Sequence, residues 1–181
     1  MPEWAFSDHV DRFAIWAASR ASSQKGYRFE VRDGVAIAGT SGLRAHLVDR
    51  AAWMLPQPEF DELHRTLRSS VIEASREHFS GKIVFSHGVA AKLINIYAKV
   101  WLIAQGEAVS SRAMHVHPPV DSTLMKSLSR HHEFGSGFRR LGATWTKFSS
   151  TEYESVIRAM RHALGPGVPL WCIEEFWPGF Q

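Results

Sequence analysis

Cysteine is nearly absent: Cys172 stands alone among 181 residues. A single thiol cannot close an internal disulfide, and it leaves no cysteine-rich zinc or iron–sulfur framework, so a reducing compartment is the expectation. Long apolar runs are missing as well. No stretch approaches the roughly 18 uncharged apolar residues that would span a bilayer. The start, Met1-Pro2-Glu3-Trp4, lacks the basic region that precedes the apolar run of a secretory leader. These absences predict a soluble, cytoplasmic protein with no membrane partner. Charge of one sign is scarce too: 21 Lys and Arg against 18 Asp and Glu leave +3, too little by itself to mark a nucleic-acid binder. There is no internal repeat, low-complexity tract or linker long enough to separate a pair of domains. What remains is 45% hydrophobic and 12% aromatic. That composition excludes disorder for most of the chain and predicts one domain with a sizeable core.

Helical periodicity dominates. Val10, Phe13, Ala14, Ala17 and Ala18 recur in steps of three and four, predicting an amphipathic helix over Ser7 to Ala21 with Ser7 as its N-cap. Tyr27 to Ile37 alternates in character around Asp33-Gly34 and reads as a short β-hairpin or an extended loop. Thr40-Ser41-Gly42 caps a helix through about Met54, which Pro56-Gln57-Pro58 stops. Pro58 opens a longer helix from Glu59 to about His78, with Phe60, Leu63, Leu67, Val71 and Ile72 on one stripe. After a connection from Gly81 to Gly88, Val89 to about Gln105 forms a largely buried helix. Pro118-Pro119 opens the next, with Asp121 in its first turn. Ser149 to Glu152 is a capping box for a helix through Leu164, ended by Gly165-Pro166-Gly167. Pro169 to Trp177 predicts a short docking helix. The fold class is therefore all-α, a single orthogonal helical domain.

Chemistry concentrates at Phe85-Ser86-His87-Gly88-Val89-Ala90-Ala91-Lys92 and at His117-Pro118-Pro119-Val120-Asp121. These two segments resemble the helix-hairpin-helix DNA glycosylase superfamily, particularly its 8-oxoguanine glycosylase branch. There a hairpin of type Leu-Pro-Gly-Val-Gly-x-Lys opens a buried helix, and a later Val-Pro-Val-Asp-like element sets a carboxylate beside the lysine. Gly88 and Val89 match the hairpin, Lys92 the lysine, and Pro119-Val120-Asp121 the aspartate element. His87 stands where the family prefers proline and Ala90 where it prefers a second glycine. The interval between Lys92 and Asp121 also carries an apparent insertion around Gln105 to Met114. The resemblance implies DNA as partner and a damaged or modified base flipped into a pocket. It implies cleavage of the N-glycosidic bond, with or without lyase activity, Lys92 and Asp121 as the catalytic pair, and no cofactor.

The residues support that chemistry independently. A hairpin ending at Gly88 lets backbone N–H groups of His87, Gly88, Val89 and Ala90 approach a phosphate, helped by the partial positive charge of the following helix start. Burial would lower the pKa of Lys92 and free its amine to attack a sugar C1′, while Asp121 accepts the proton or stabilises the cationic sugar. Each residue also has an ordinary reading. Lys92 reads as a solvated surface charge, Asp121 as a helix N-terminal carboxylate, and Gly88 as a turn residue. Val109 to Phe148 is locally basic, with Arg112, Lys126, Arg130, Arg139, Arg140 and Lys147, and reads as a solvated face or as phosphate contacts. His115-x-His117 and His131-His132 lack a carboxylate at helical spacing, so no metal is expected. Cys172 reads as a buried inert thiol, and Glu174-Glu175 as surface charges. The alternative to an enzyme is a helical module that binds DNA or a protein partner without catalysis.

Overall fold

The structure, a computed structural model, describes residues 5–48, 55–104, 106, 113–142 and 144–178, and among these there are helices and no strand. The first helix, α1 (Phe6–Ser22), begins one residue earlier than predicted. The Asp8 carboxylate, not Ser7, holds its start by accepting the Ala5 N–H at 3.0 Å. Val10, Ala14, Ile15 and Ala18 face the core, whereas Phe13 of the expected stripe is 58% exposed and Ala17 only half-buried, the stripe being set one residue toward Ile15. Where a hairpin or loop was expected there is α2 (Val31–Thr40), and the only sheet-like pairing among the described residues is an isolated bridge between Gln24 and Tyr27. Asp33-Gly34 is not a turn. Asp33 accepts the Glu30 N–H at 2.7 Å, closing the first turn of α2. Gly34 lets α2 lie against α1, since a Cβ there would sit 1.9 Å from Ser19 Oγ. A helix signal and a packing signal thus imitate a turn dipeptide.

Short α3 (Leu43–Val48) is the described stretch of the helix expected to reach Met54; residues 49–54 lie outside the description. The long α4 (Gln57–His78) carries Pro58 in its first turn, as predicted. Next comes α5 (His87–Ala104), opened by Ser86, whose hydroxyl accepts the Val89 N–H at 3.2 Å. Its expected end at Gln105 is outside the described residues, as is Arg112. Twelve of its eighteen residues are buried, which makes it a core helix open along the stripe through Ile96, Lys99 and Ile103. It packs most extensively on α1 and also meets α3 and α4.

Pro118 and Pro119 do not open a helix but run extended into α6 (Ser122–Arg130). Asp121 is its N-cap rather than a first-turn residue, accepting the N–H groups of Thr123 and Leu124 at 3.0 and 2.9 Å. Proline's fixed φ suits an extended approach as well as a helix start, so the dipeptide did not decide between them. Then follow α7 (Gly135–Leu141), the 3₁₀ turn Trp145–Lys147, α8 (Ser150–Leu164) behind its Ser149/Glu152 capping box, and the 3₁₀ segment Leu170–Phe176. No helix among the described residues is long and apolar enough to cross a membrane.

Candidate active site

Two segments far apart in sequence meet on one side of α5. Lys92 lies one turn inside α5 and Asp121 at the mouth of α6, and Lys92 Nζ donates to Asp121 Oδ2 at 3.2 Å. Trp145, from the 3₁₀ turn, lies against the ammonium, with Nζ 4.6 Å from the ring centroid. Only 9% of the Lys92 side chain and 15% of the Asp121 side chain is exposed. Burial lowers the Lys92 pKa, and the adjacent Asp121 charge opposes that shift without cancelling it. Both residues line a cleft of about 300 Å³, walled by Phe13 and Ala17 of α1, Ile96 and Val100 of α5, Pro119 and Trp177. That volume lies at the lower end of ligand-pocket size. Asp121 already accepts two helix-start amides through Oδ1, which leaves Oδ2 aimed at Lys92.

A second charged pair borders the same cleft and was not anticipated from the sequence. Lys99, seven residues beyond Lys92 and so on the same face of α5, is ion-paired with Glu174. Glu174 is therefore no surface charge: its side chain is 14% exposed, and the 3₁₀ segment docks it inward. Burial pushes its carboxyl pKa up, more than the Lys99 hydrogen bond lowers it, and Asp121 adds to the rise. The Lys92/Lys99 spacing was the signal available for it. A neighbouring groove of about 460 Å³ shares Lys99, Ile103 and Glu174 and continues past Trp171 and Cys172. Cys172 is half-buried, and burial followed by the Glu175 charge raises its thiol pKa, keeping it protonated near neutral pH.

Behind α5 lies a closed polar chain. On α4, His64 and Arg68 occupy the same stripe as Phe60, Leu67 and Val71 and are buried with them. Arg68 has only donors, so its Nη1–H enters His64 Nδ1 at 2.8 Å; His64 Nε2 then carries the proton and donates to Asn95 Oδ1 at 2.7 Å. Asn95 Nδ2 donates to Tyr153 Oη at 3.0 Å and to the Pro118 carbonyl at 2.8 Å. Tyr153 donates onward to His117 Nδ1 at 3.1 Å, and His117 Nε2–H donates to Asp61 Oδ1 at 3.0 Å. Arg161 closes the chain with a bidentate grip on Asp61, both bonds 2.7 Å. Burial holds the pKa of His64 well below normal and that of His117 at about 4, so both rings are neutral. Asp61 is raised by burial but lowered further by hydrogen bonds from His117 and Arg161, which keep it ionised. Through the Pro118 carbonyl, this chain fixes the segment that carries Asp121.

The remaining predicted residues lie elsewhere. Val89 and Ala90 have no exposed surface, and Gly88 is buried against the Trp145 carbonyl, where a Cβ would approach to 1.8 Å. The His87 N–H donates to Phe148 O at 3.1 Å, so the chain itself occupies some of the α5 start. The His87 ring is half-buried, with Arg68 Nε 3.4 Å from its Nδ1. Arg130, Arg139 and Arg140 are exposed at the end of α6 and on α7, outside the lining of the cleft, and Arg139 Nη1 donates to Ser129 O at 2.6 Å. Both nitrogens of His117 are committed within the polar chain. His131, His132 and Glu133 hold their ligand atoms within 4.8 Å of one another, as three consecutive and mostly exposed residues. Comparisons with known protein families, with curated proteins and with solved structures find no match to this chain.

Proposed function

We propose that the chain is a base-excision glycosylase-like DNA-binding protein whose chemistry is carried by Lys92 and Asp121. The supporting observation is their meeting, at 3.2 Å, inside one aromatic-walled cleft. A desolvated lysine with a carboxylate to take its proton is what nucleophilic attack on a sugar C1′ requires. Asp121 accepts a proton from Nζ, and the Nζ lone pair forms a bond to C1′. The C1′–N bond breaks with its electron pair leaving on the base, which takes up the proton that Asp121 received from Nζ. A proton then passes from the C1′-bound nitrogen to O4′, the C1′–O4′ bond breaks, and the opened sugar is left as the C1′ Schiff base. The Lys99–Glu174 pair lies where it can hydrogen-bond the edge of a flipped base, and Phe13 and Trp177 bound its space.

The chain's own occupation of the α5 start favours a second reading, a non-enzymatic module on the same fold that binds DNA or a protein partner. Incubation with duplexes bearing 8-oxoguanine, uracil or an abasic site separates the two. The enzymatic reading expects base release or strand nicking on at least one duplex, lost in Lys92→Gln. Lesion binding without release, unchanged in Lys92→Gln, would establish the module instead.

A further inference from the structure

We propose that the exposed face of α1 is a nucleic-acid track leading to the Lys92 cleft, with Phe13 and Trp16 as a base-stacking platform and Arg20, Lys25 and Arg28 as its phosphate contacts. Phe13, Trp16, Ala17 and Arg20 follow the i, i+3, i+4, i+7 spacing that places side chains on one helix face. Phe13 is 58% and Trp16 49% exposed, although the opposite face of α1 supplies all its core contacts. Their rings lie 5.8 Å apart at 22°, a stacked pair open to solvent. Phe13 and Ala17 also belong to the wall of the Lys92 cleft.

Beyond Trp16 the surface changes from aromatic to cationic. The end of α1 and the approach to α2 form a separate polar cleft of about 1000 Å³, bordered by Arg20, Lys25, Arg28 and Arg32 with Glu30 and Asp33. The two carboxylates there are already paired, Glu30 with Arg32 at 3.0 Å and Asp33 with His78 at 2.9 Å. Arg20, Lys25 and Arg28 are exposed and have no ion-pair partner among the described residues. From Phe13 to Arg20 the helix rises about 10 Å. Flat rings followed by unpaired cations match a strand whose bases offer π-faces and whose backbone offers phosphates. An acidic protein or lipid surface would also engage rings and cations; a nucleic-acid strand is favoured because the ring face runs into the wall of the Lys92 cleft through Phe13 and Ala17.

This rests on the proposed function only for what happens in the cleft, so binding and base release are read separately. Fluorescence anisotropy of labelled oligonucleotides, a duplex with an abasic-site analogue and the matching single strand, is followed against salt for the full chain. Phe13→Ala/Trp16→Ala should weaken binding tenfold or more with the salt slope unchanged. Arg20→Glu/Lys25→Glu/Arg28→Glu should weaken it steeply and flatten the log–log slope on duplex by about 0.9 for each phosphate no longer neutralised. Arg130→Glu/Arg139→Glu/Arg140→Glu should bind like the parent. All are surface changes, checked for folding by circular dichroism. Loss of binding confined to the last variant overturns the track, as does parental binding by both α1 variants. Failure of the parent to bind either oligonucleotide, or binding only to phosphatidylserine vesicles, overturns it too. Binding that depends on α1 in a chain that releases no base removes the glycosylase reading and leaves the track standing.

Discussion

Lys92 and Asn95, one turn apart on α5, are both buried polar residues, yet their surroundings differ in kind. Every side-chain polar atom of Asn95 is engaged: Oδ1 by His64, Nδ2 by Pro118 and Tyr153. The chain around it runs from a cation, Arg68, to an anion, Asp61, with each proton assigned. Lys92 has three donors, one hydrogen-bond acceptor in Asp121 among the described residues, a ring on one side and a cleft in front. A saturated buried network fixes geometry, because any change orphans a partner. An unsaturated pair at a cleft can exchange its partner for a ligand. The contrast separates the scaffold from the site within a single helix.

Breaking the saturated side should have the largest effect on stability. Asn95→Leu leaves His64 Nε2–H, the Pro118 carbonyl and the Tyr153 hydroxyl short of partners, at about 1–3 kcal/mol for each buried group left unsatisfied. Urea denaturation should therefore show a loss of more than about 3 kcal/mol. A loss below about 1 kcal/mol would mean the chain relaxes freely and fixes nothing. The same titration should find the double variant Lys92→Met/Asp121→Asn nearly neutral, since both buried charges leave together and asparagine still accepts the Thr123 and Leu124 N–H groups.

Acid should next distinguish the two sides. The folded pKa values of His64 and His117 are depressed, so the unfolded chain binds protons that the folded chain refuses. Stability is then fully present above about pH 6.5 and declines as pH falls toward the His117 value of about 4. Each ring contributes up to about 1.4 kcal/mol per pH unit. Urea midpoints from pH 7 to 4 should show this decline, and His117→Gln should flatten it. A midpoint constant down to pH 4 would contradict the assignment of neutral rings.

Gly88→Ala sharpens the comparison at the α5 start. The new Cβ meets the Trp145 carbonyl, so the 145–148 turn must move, at about 1–3 kcal/mol by analogy with overpacked cores, and Trp145 shifts off Lys92. Tryptophan fluorescence together with urea melting reads both consequences, and an unchanged spectrum would detach the turn from the site. Asp121→Asn reads the site itself. Asparagine keeps the cap but leaves the buried Lys92 ammonium without its carboxylate, so stability should fall by about 1–3 kcal/mol while base release falls by about 10²–10⁴. A large stability loss with activity intact per folded molecule would make Asp121 structural.

Much of this is legible in the sequence because helix signals are local. Pro58, the Ser149/Glu152 box and the apolar steps of α1 and α4 each depend on residues a turn or two apart. Lys92 and Asp121 are paired in the sequence through the family resemblance, and the structure places them in contact. Asp33-Gly34 misleads because an aspartate that closes a helix start and a glycine that admits a neighbouring helix have the composition of a turn. The polar chain is out of reach for a different reason. His64, Asn95, His117 and Tyr153 come from separate segments, and periodicity tells which face a residue occupies but not which faces share an interior. The pattern of His87 to Ala90 suggests a stretch open to phosphate, whereas the close approach of Trp145 and Phe148 buries most of it.

Borohydride trapping tests the unsaturated side of α5 most directly. Reduction during incubation with abasic-site and 8-oxoguanine duplexes should give a covalent protein–DNA adduct, placed at Lys92 by peptide mass spectrometry and absent in Lys92→Gln. The Asn95→Leu variant, assayed at a temperature where it remains folded, should trap more slowly because Asp121 loses its anchor. No adduct on either duplex, or an adduct that persists in Lys92→Gln, would contradict the account.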